Sequence, residues 1–590
     1  MTFSRKEMTV TRPQGLARRV ARLPHVAATR LTAGPALAAV LIALSALACW
    51  PGADAIPTDR PPSADFGPIP GVSPTGGFTD VTLAAGISAR HRLPGEDLDN
   101  IVDAVGAGAA FSDLDDDGWL DLIVLGGPRS PAEDERGDSA NAGIRIYRNR
   151  TDGRFDDVTH TSGIPARSTA VAVAIADVDG DGDRDIYLVD RGPNALFLNR
   201  GNGSFDDATR EAGVADVGFG VGAVFLDADR DGDQDLYVTN YLEFDPREQE
   251  FFAPDGYPGP LAYPAQADVF YLNRGDGTFE DVSRRAGVAA LAGRGMSLAA
   301  ADFNEDGFTD VFVANDATAN FLLVGDGRGS FAEAGMTAGV AMGENGEETS
   351  AMASAIGDVD RDGFLDLVVS DTAFGAFYRR TSPGFYVDDV MQSGIGRLSG
   401  QYVNWGQNLL DFDSDGMLDL FLVSGGMHHL VGWEDLLLRN VGGGRFTDAA
   451  ELGGAYFTSR QVGRASIQGD YDNDGDVDLF LTTLHGRPYL LRNDAPTTGG
   501  WIELDLVGRV ARDPFGARVE LRAGNDRWIA EARCPTAYLG QSDPRLHFGI
   551  GPSVDRVETI RIVWPDGVVQ ELEELAAGQL HRVAQPEPAS

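Results

Sequence analysis

Seven nine-residue segments concentrate aspartate at one fixed spacing. They are DLDDDGWLD from Asp113, DVDGDGDRD from Asp177, DADRDGDQD from Asp227, DFNEDGFTD from Asp302, DVDRDGFLD from Asp358, DFDSDGMLD from Asp411 and DYDNDGDVD from Asp470. Positions 1, 3, 5 and 9 carry Asp113, Asp115, Asp117 and Asp121; Asp177, Asp179, Asp181 and Asp185; Asp227, Asp229, Asp231 and Asp235; Asp302, Asn304, Asp306 and Asp310; Asp358, Asp360, Asp362 and Asp366; Asp411, Asp413, Asp415 and Asp419; and Asp470, Asp472, Asp474 and Asp478. Position 6 is glycine in every segment. Like charges this close repel, so a folded chain needs either full solvation or a cation to hold them together. Calcium takes roughly six to eight oxygens at about 2.3–2.6 Å. Side chains at 1, 3 and 5, a backbone carbonyl at 7 and the carboxylate at 9 supply such a shell, and glycine at 6 permits the sharp turn. An EF-hand would need glutamate at position 12, where this chain has Val124, Leu188, Val238, Val313, Val369, Leu422 and Leu481. The expectation is up to seven structural Ca2+ ions.

The segments on either side must position these oxygens. Apolar stretches such as AVAVAIA precede the loops, and short β-branched or aromatic runs such as DIYLVD, DLYVTN and DVFVAN follow them, which reads as strands. A second pattern interleaves with the first. ALFLNRGNGSFDDAT from Ala195 and VFYLNRGDGTFEDVS from Val269 place Asn/Asp-Gly turns between alternating runs, the signature of hairpins. Each repeat is then strand, acidic loop, strand, strand, glycine turn, strand. Seven four-stranded units make a propeller. The seventh unit ends at PYLLRND without a fourth strand, and GGFTDVT, residues 76–82, is an orphan fourth strand that completes it. Closing the ring in this way hides the edges that would otherwise recruit other chains.

Composition narrows the partners. The chain has 590 residues and a net charge of −42, which disfavours nucleic acid and anionic membrane surfaces. The N-terminus reads as an export signal over residues 1–55, with basic residues ahead of the apolar run AGPALAAVLIALSALA. Two processing sites compete: cleavage after Ala53-Asp54-Ala55, or lipidation at Cys49, which would give the only membrane attachment. Removing residues 1–55 takes away seven basic and two acidic residues and leaves −47. The only lysine, Lys6, goes with them, which argues against Schiff-base chemistry and Walker-type phosphate loops. Cys534 then has no intrachain partner, so an exported chain needs a staple other than a disulfide.

The repeats over 76–494 resemble the FG-GAP/VCBS repeats of integrin α-type propellers. The tail over 501–583, through FGARVELRAG, YLGQSDPRLHFGIG and IRIVWPDGVVQELEEL, resembles the ASPIC/UnbV domain. Together they are similar to the cartilage acidic protein-like family. The expected class is all-β: a seven-bladed β-propeller with calcium-binding loops plus a small C-terminal β-sandwich-like domain. A linker occupies 56–75 and a tail 584–590. The resemblance implies a calcium-bound extracellular propeller and supplies no defined reaction. In blade 5, RRTSPGF replaces the usual hairpin, which puts its outer strands in doubt.

Strand alternation puts the acidic loops on one face and the longest insertions on the other. Phe251, Phe252, Tyr257, His428 and Trp433 lie in those insertions and are the expected ligand face for an extracellular protein or glycan; the competing reading is that these loops pack on one another or plug the channel. The C-terminal cluster Gln541, Ser542, Asp543, Arg545 and His547 is expected to dock its domain on the propeller. The functional expectation is an exported, calcium-stapled binding or adhesion scaffold, placed in the periplasm, at the cell surface or in the medium. The alternative is a carbohydrate-active lyase or hydrolase with its site on the face away from the calcium loops. The scaffold is favoured, because most paired carboxylates are committed to metal and no catalytic group is assigned.

Overall fold

The structure is a computed structural model that describes residues 76–588, apart from 92, 94–96, 128–142, 166–168, 248–255, 496–498 and 552–553. The expected export segment, Cys49 and the linker 56–75 lie outside the described residues. The chain is all-β. Among the described residues, seven antiparallel four-stranded units share one order. Blade 1 uses Ala109–Ser112, Asp121–Val124, Arg145–Asn149 and Phe155–Asp157. Blade 2 begins at Ala172, blade 3 at Gly220, blade 4 at Gly295, blade 5 at Ala351, blade 6 at Asn404 and blade 7 at Gly463. First and second strands are almost wholly buried, which is why they read as continuous apolar runs. The third strands are mostly buried, that of blade 2 ending at Asn199, and the fourth strand of blade 2, Phe205–Asp207, buries its first residue and exposes the acidic pair that follows.

The first strand of each blade touches that of the next, and the first strand of blade 7 touches that of blade 1. The fourth strand of blade 7 is Phe78–Asp80, paired antiparallel with Tyr489–Asn493 in the register Phe78↔Asn493. In blade 5, Ala376–Ser382 pairs with Phe385–Asp388 across an irregular register near Arg380, so the atypical sequence still forms a hairpin. Each blade interface is a packed apolar layer, as between Tyr237, Phe270 and Phe331.

The C-terminal region forms two sheets. Gly500–Val507 lies between Leu546–Gly551 and Leu580–Ala584; Arg518–Ala523 and Arg556–Val563 are the centre of the other. Ile502, Leu504, Val519, Leu521, Ile560, Ile562 and Trp564 form the core between them. Among the described residues, no helix is long and apolar enough to cross a membrane.

Candidate metal centres

The acidic loops share one hydrogen-bonding frame. In all seven, the position-6 glycine N–H donates to Oδ2 of the position-1 aspartate at 2.7–3.2 Å. In all seven, the position-9 carboxylate accepts twice. Its Oδ2 takes the N–H of position 2, and its Oδ1 takes an N–H from the third strand at 2.7–2.9 Å. The turn needs left-handed backbone at position 6, where φ runs from 84° at Gly307 to 97° at Gly182. It also needs it at position 4, where Asp116, Arg230, Glu305, Arg361, Ser414 and Asn473 adopt φ of 53–65° without being glycine. Position 4 carries no residue-type signal, so its conformation was not readable from sequence.

This frame gathers the carboxylates. Ligand atoms of Asp113, Asp115 and Asp117 lie within 4.8 Å of one another, as do those of Asp177, Asp179 and Asp185; Asp227, Asp229 and Asp235; Asp358, Asp360 and Asp362; and Asp411, Asp413 and Asp419. One buried oxygen each of Asp227, Asp229, Asp358 and Asp472 faces no hydrogen-bond donor. Buried carboxylate oxygens of that kind are costly unless a cation or donor meets them. Burial is the first cause that pushes the position-9 groups up, to about 8 at Asp121, Asp185, Asp310 and Asp366, and well above the carboxylate range at Asp235, Asp419 and Asp478. Neighbouring aspartates add to the shift, and the accepted N–H groups oppose it. A hard, oxygen-seeking dication fits these donors.

A residue that the loop pattern alone does not reveal ties five of the seven loops to the preceding one. Asn199 Nδ2 donates to the carbonyls of Arg184 in its own loop and Leu114 in the loop of blade 1, at 2.9 and 2.8 Å. Asn149, Asn273, Asn440 and Asn493 likewise donate to Tyr471, Val178, Val359 and Phe412 of the preceding blade. Their signal was the Asn at the end of the third strand, which reads as turn chemistry and is also a blade-to-blade clamp. Gly325 and Arg380 take this place in blades 4 and 5.

The C-terminal domain covers the loop face. Arg184 at position 8 of loop 2 makes a buried ion pair with Asp513, with Nη2–Oδ1 at 2.7 Å. The Arg512 N–H donates to Asp177 Oδ2 at 2.7 Å. Trp528 Nε1 donates to Gly416 O, His547 Nε2 meets Gly475 O at 2.9 Å, and Arg545 reaches Asn473 and Asp470 O. A hairpin of the same domain, Thr536–Ala537 and Gly540–Gln541, enters the propeller centre and touches first strands of six blades. There Gln541 exchanges hydrogen bonds with both backbone groups of Ile175, and the Ser542 hydroxyl accepts from Gln468 N. The approach demands glycine: a Cβ on Gly108 would lie 1.7 Å from Leu539 O, and one on Gly540 2.1 Å from Ala109 O. Tyr538 completes the plug by donating to Val105 O and packing on Trp405.

The expected ligand-face aromatics divide. Phe251 and Phe252 lie outside the described residues. Tyr257 is buried, donates to Met427 O and packs on His428 at 4.9 Å. Trp433 is 3% exposed and packs edge-on against Tyr402. The structure brings Tyr257 and His428 together and uses all three rings in loop packing. On the same side of the propeller, Arg191, Phe219, Leu242, Phe244, Pro246 and Gln266 line an open cleft of about 510 Å³.

Comparison with known proteins follows this architecture. The family model for the FG-GAP-like repeat matches residues 113–188, 177–238, 261–313, 302–369 and 411–481, over half of the chain, and that for ASPIC and UnbV matches 508–590. Cartilage acidic protein 1 of Homo sapiens is 24% identical over 338 residues, covering 53% of this chain and 47% of that protein. Its Mus musculus counterpart is 25% identical over 323 residues, covering 50% and 45%. The chain thus spans about half the length of these relatives. Among solved structures, an Agrocybe aegerita lectin that recognises non-reducing terminal N-acetylglucosamine is 14% identical, with a TM-score of 0.36 over 60% of this chain and 89% of that one. The V. cholerae biofilm matrix protein Bap1 is 13% identical, with a TM-score of 0.26 over 83% and 76%. Scores this low carry no argument.

Proposed function

Since the chain belongs to the FG-GAP-like repeat family and carries an ASPIC and UnbV domain, we propose that it is an exported binding scaffold stapled by calcium. The observation that carries the reading is the shared frame of the seven loops. It gathers carboxylates within ligand distance and leaves buried oxygens without donors. In each loop the side chains at 1, 3, 5 and 9 would hold the ion, with the position-7 carbonyl beside them. Bound calcium supplies charge neutralisation and a rigid joint between strands. The protein's own groups supply the rest: the position-1 and position-9 hydrogen bonds hold the ligand geometry, and the third-strand asparagines tie it to the preceding blade. Because the C-terminal domain occupies the loop face, a partner is met on the other face. The cleft beside Phe219, Phe244 and Arg191 offers apolar, cationic and amide groups there, which suits an extracellular protein or glycan.

Calcium binding and thermal unfolding of the full chain test the first half. Each ion held at 100 times its Kd adds about 2.7 kcal/mol. Seven such ions, together about 19 kcal/mol, exceed the roughly 5–15 kcal/mol of a typical domain. Excess chelator is expected to abolish the high-temperature transition and added calcium to restore it. A folded chain that binds no calcium at millimolar concentration overturns the reading. A glycan and peptide screen with product detection tests the second half: binding without turnover supports a scaffold, and turnover of a polysaccharide overturns it.

A further inference from the structure

The seven loops share a ligand pattern but differ in what stands beside it. One register in the third strand, just before the residue whose N–H meets the position-9 carboxylate, carries Arg148 in blade 1, Leu198 in blade 2, Leu272 in blade 3, Val324 in blade 4, Arg379 in blade 5, Arg439 in blade 6 and Arg492 in blade 7. In blade 6 the arginine reaches fully into the loop. Arg439 Nε donates to Asp413 Oδ2 and its Nη2 to Asp415 Oδ2, both at 2.7 Å, with the side chains 5–13% exposed. Arg148 pairs with Asp115 in blade 1. Arg379 bonds Asp389 and lies 4.0 Å from Asp360 in blade 5. Arg492 bonds Asp494 and acts electrostatically on Asp472 in blade 7. In blades 2 and 3 the leucines instead face the glycine turns of the following blade, Leu198 against Gly277 and Leu272 against Gly329. Among the described residues, no guanidinium lies at ion-pair distance from Asp179, Asp181, Asp229, Asp231 or Asp306; Arg285 acts on Asp229 electrostatically from farther off, and in loop 4 Arg518 and Arg380 pair with Glu305 at position 4 rather than with a proposed ligand.

Resting on the calcium reading above, the geometry points to two classes of site: open ones in blades 2, 3 and 4, and ones in blades 1, 5, 6 and 7 where a tethered arginine competes with the ion, most strongly in blade 6. Arginine stays charged at all working pH values, so it cannot step aside by losing a proton. An ion entering loop 6 shares Asp413 and Asp415 with a guanidinium that already draws on one oxygen of each, and it sits beside that cation. Conversely, loop 6 is already neutralised in part when no ion is present. The arginine thus sets the order of filling: blades 2 and 3 load first, and blade 6 loads last.

The test is a calcium titration of the metal-stripped full chain by equilibrium dialysis and calorimetry, with two variants. Wild type is expected to show a tight and a weak class. Arg439→Leu is expected to tighten one weak site by about tenfold or more, since each charge-assisted bond it removes is substantial, and to move one ion into the tight class. Leu198→Arg, at a half-buried position, is expected to move one ion the other way; it keeps the test decisive if Arg439→Leu does not fold without metal. One class of equivalent sites, unchanged in both variants, overturns the inference and leaves the calcium reading standing. A wild type that binds no calcium overturns both, which distinguishes the two failures.

Discussion

Replacing Arg184 with methionine isolates the joint between the C-terminal domain and the loop face. Arg184 and Asp513 are 6% and 3% exposed and share three hydrogen bonds, at 2.7, 3.0 and 3.3 Å. Methionine keeps the packing of the stem and removes the charge. Asp513 then loses its partner in a dry interface, a situation that costs about 3–5 kcal/mol. Spread over roughly 500 ordered residues at about 2.1 cal/mol/K per residue, that is a fall of about 3–5 °C in Tm. Arg184→Met combined with Asp513→Asn removes both charges and is expected to recover most of the loss. The assay is calorimetric unfolding in saturating calcium, because Arg184 adjoins the proposed ligand Asp185. A single variant within 1 °C of wild type would refute the docking energetics, as would a double variant that loses as much as the two singles together.

Three further outcomes follow from the same geometry. Asn199→Ala removes the clamp between blades 1 and 2 and strands the carbonyls of Leu114 and Arg184, at a cost of about 2–4 kcal/mol measured by urea unfolding. Gly475→Ala places a Cβ 1.8 Å from the Trp501 ring, whereas Gly182→Ala at the same loop position meets nothing within 4 Å; limited proteolysis should show the C-terminal domain loosened only in the first, both sharing a left-handed backbone cost of about 1–2 kcal/mol. Burial, with Arg464 nearby, pushes His91 down to about 4 against the Leu484 carbonyl that its ring meets. The neutral ring is favoured in the fold, so its contribution is complete above the unfolded value of about 6.5 and is lost as pH falls toward 4, by about 3 kcal/mol. Asp268 and Asp435, raised to about 7 by burial, act in the opposite sense. The comparison is therefore between wild type and His91→Asn, whose unfolding should lack that acid-side step.

The loops and hairpins were legible because the same spacing recurs, and repetition separates a geometric demand from chance. Position 9 is a case in point: the spacing marks Asp121 and its six counterparts as candidate ligands, and the structure shows the same carboxylates holding two strands by paired N–H acceptance. The orphan strand at residues 76–82 was legible because an odd edge has only one place to go. The plug was not. Gln541 and Tyr538 lie in a tail with ordinary alternating strands, and their partners Ile175 and Val105 are hundreds of residues away with no pattern in common. The insertion aromatics leave two readings open for a related reason. An aromatic cluster on a loop fits a ligand and fits its neighbours equally well, and only the fold shows that Tyr257 meets His428 and Trp433 meets Tyr402.

The seam in blade 7 has a consequence for time rather than for stability. Thr82 and Leu490, which bond across it, are separated by 408 positions. Closing a loop of that length costs about 5 kcal/mol of chain entropy. At synthesis rates of about 5–20 residues per second, the first strand waits roughly 20–80 s for its partner. Until then Phe78–Asp80 has no strand to pair with. Closure is thus the last event to become possible for the propeller.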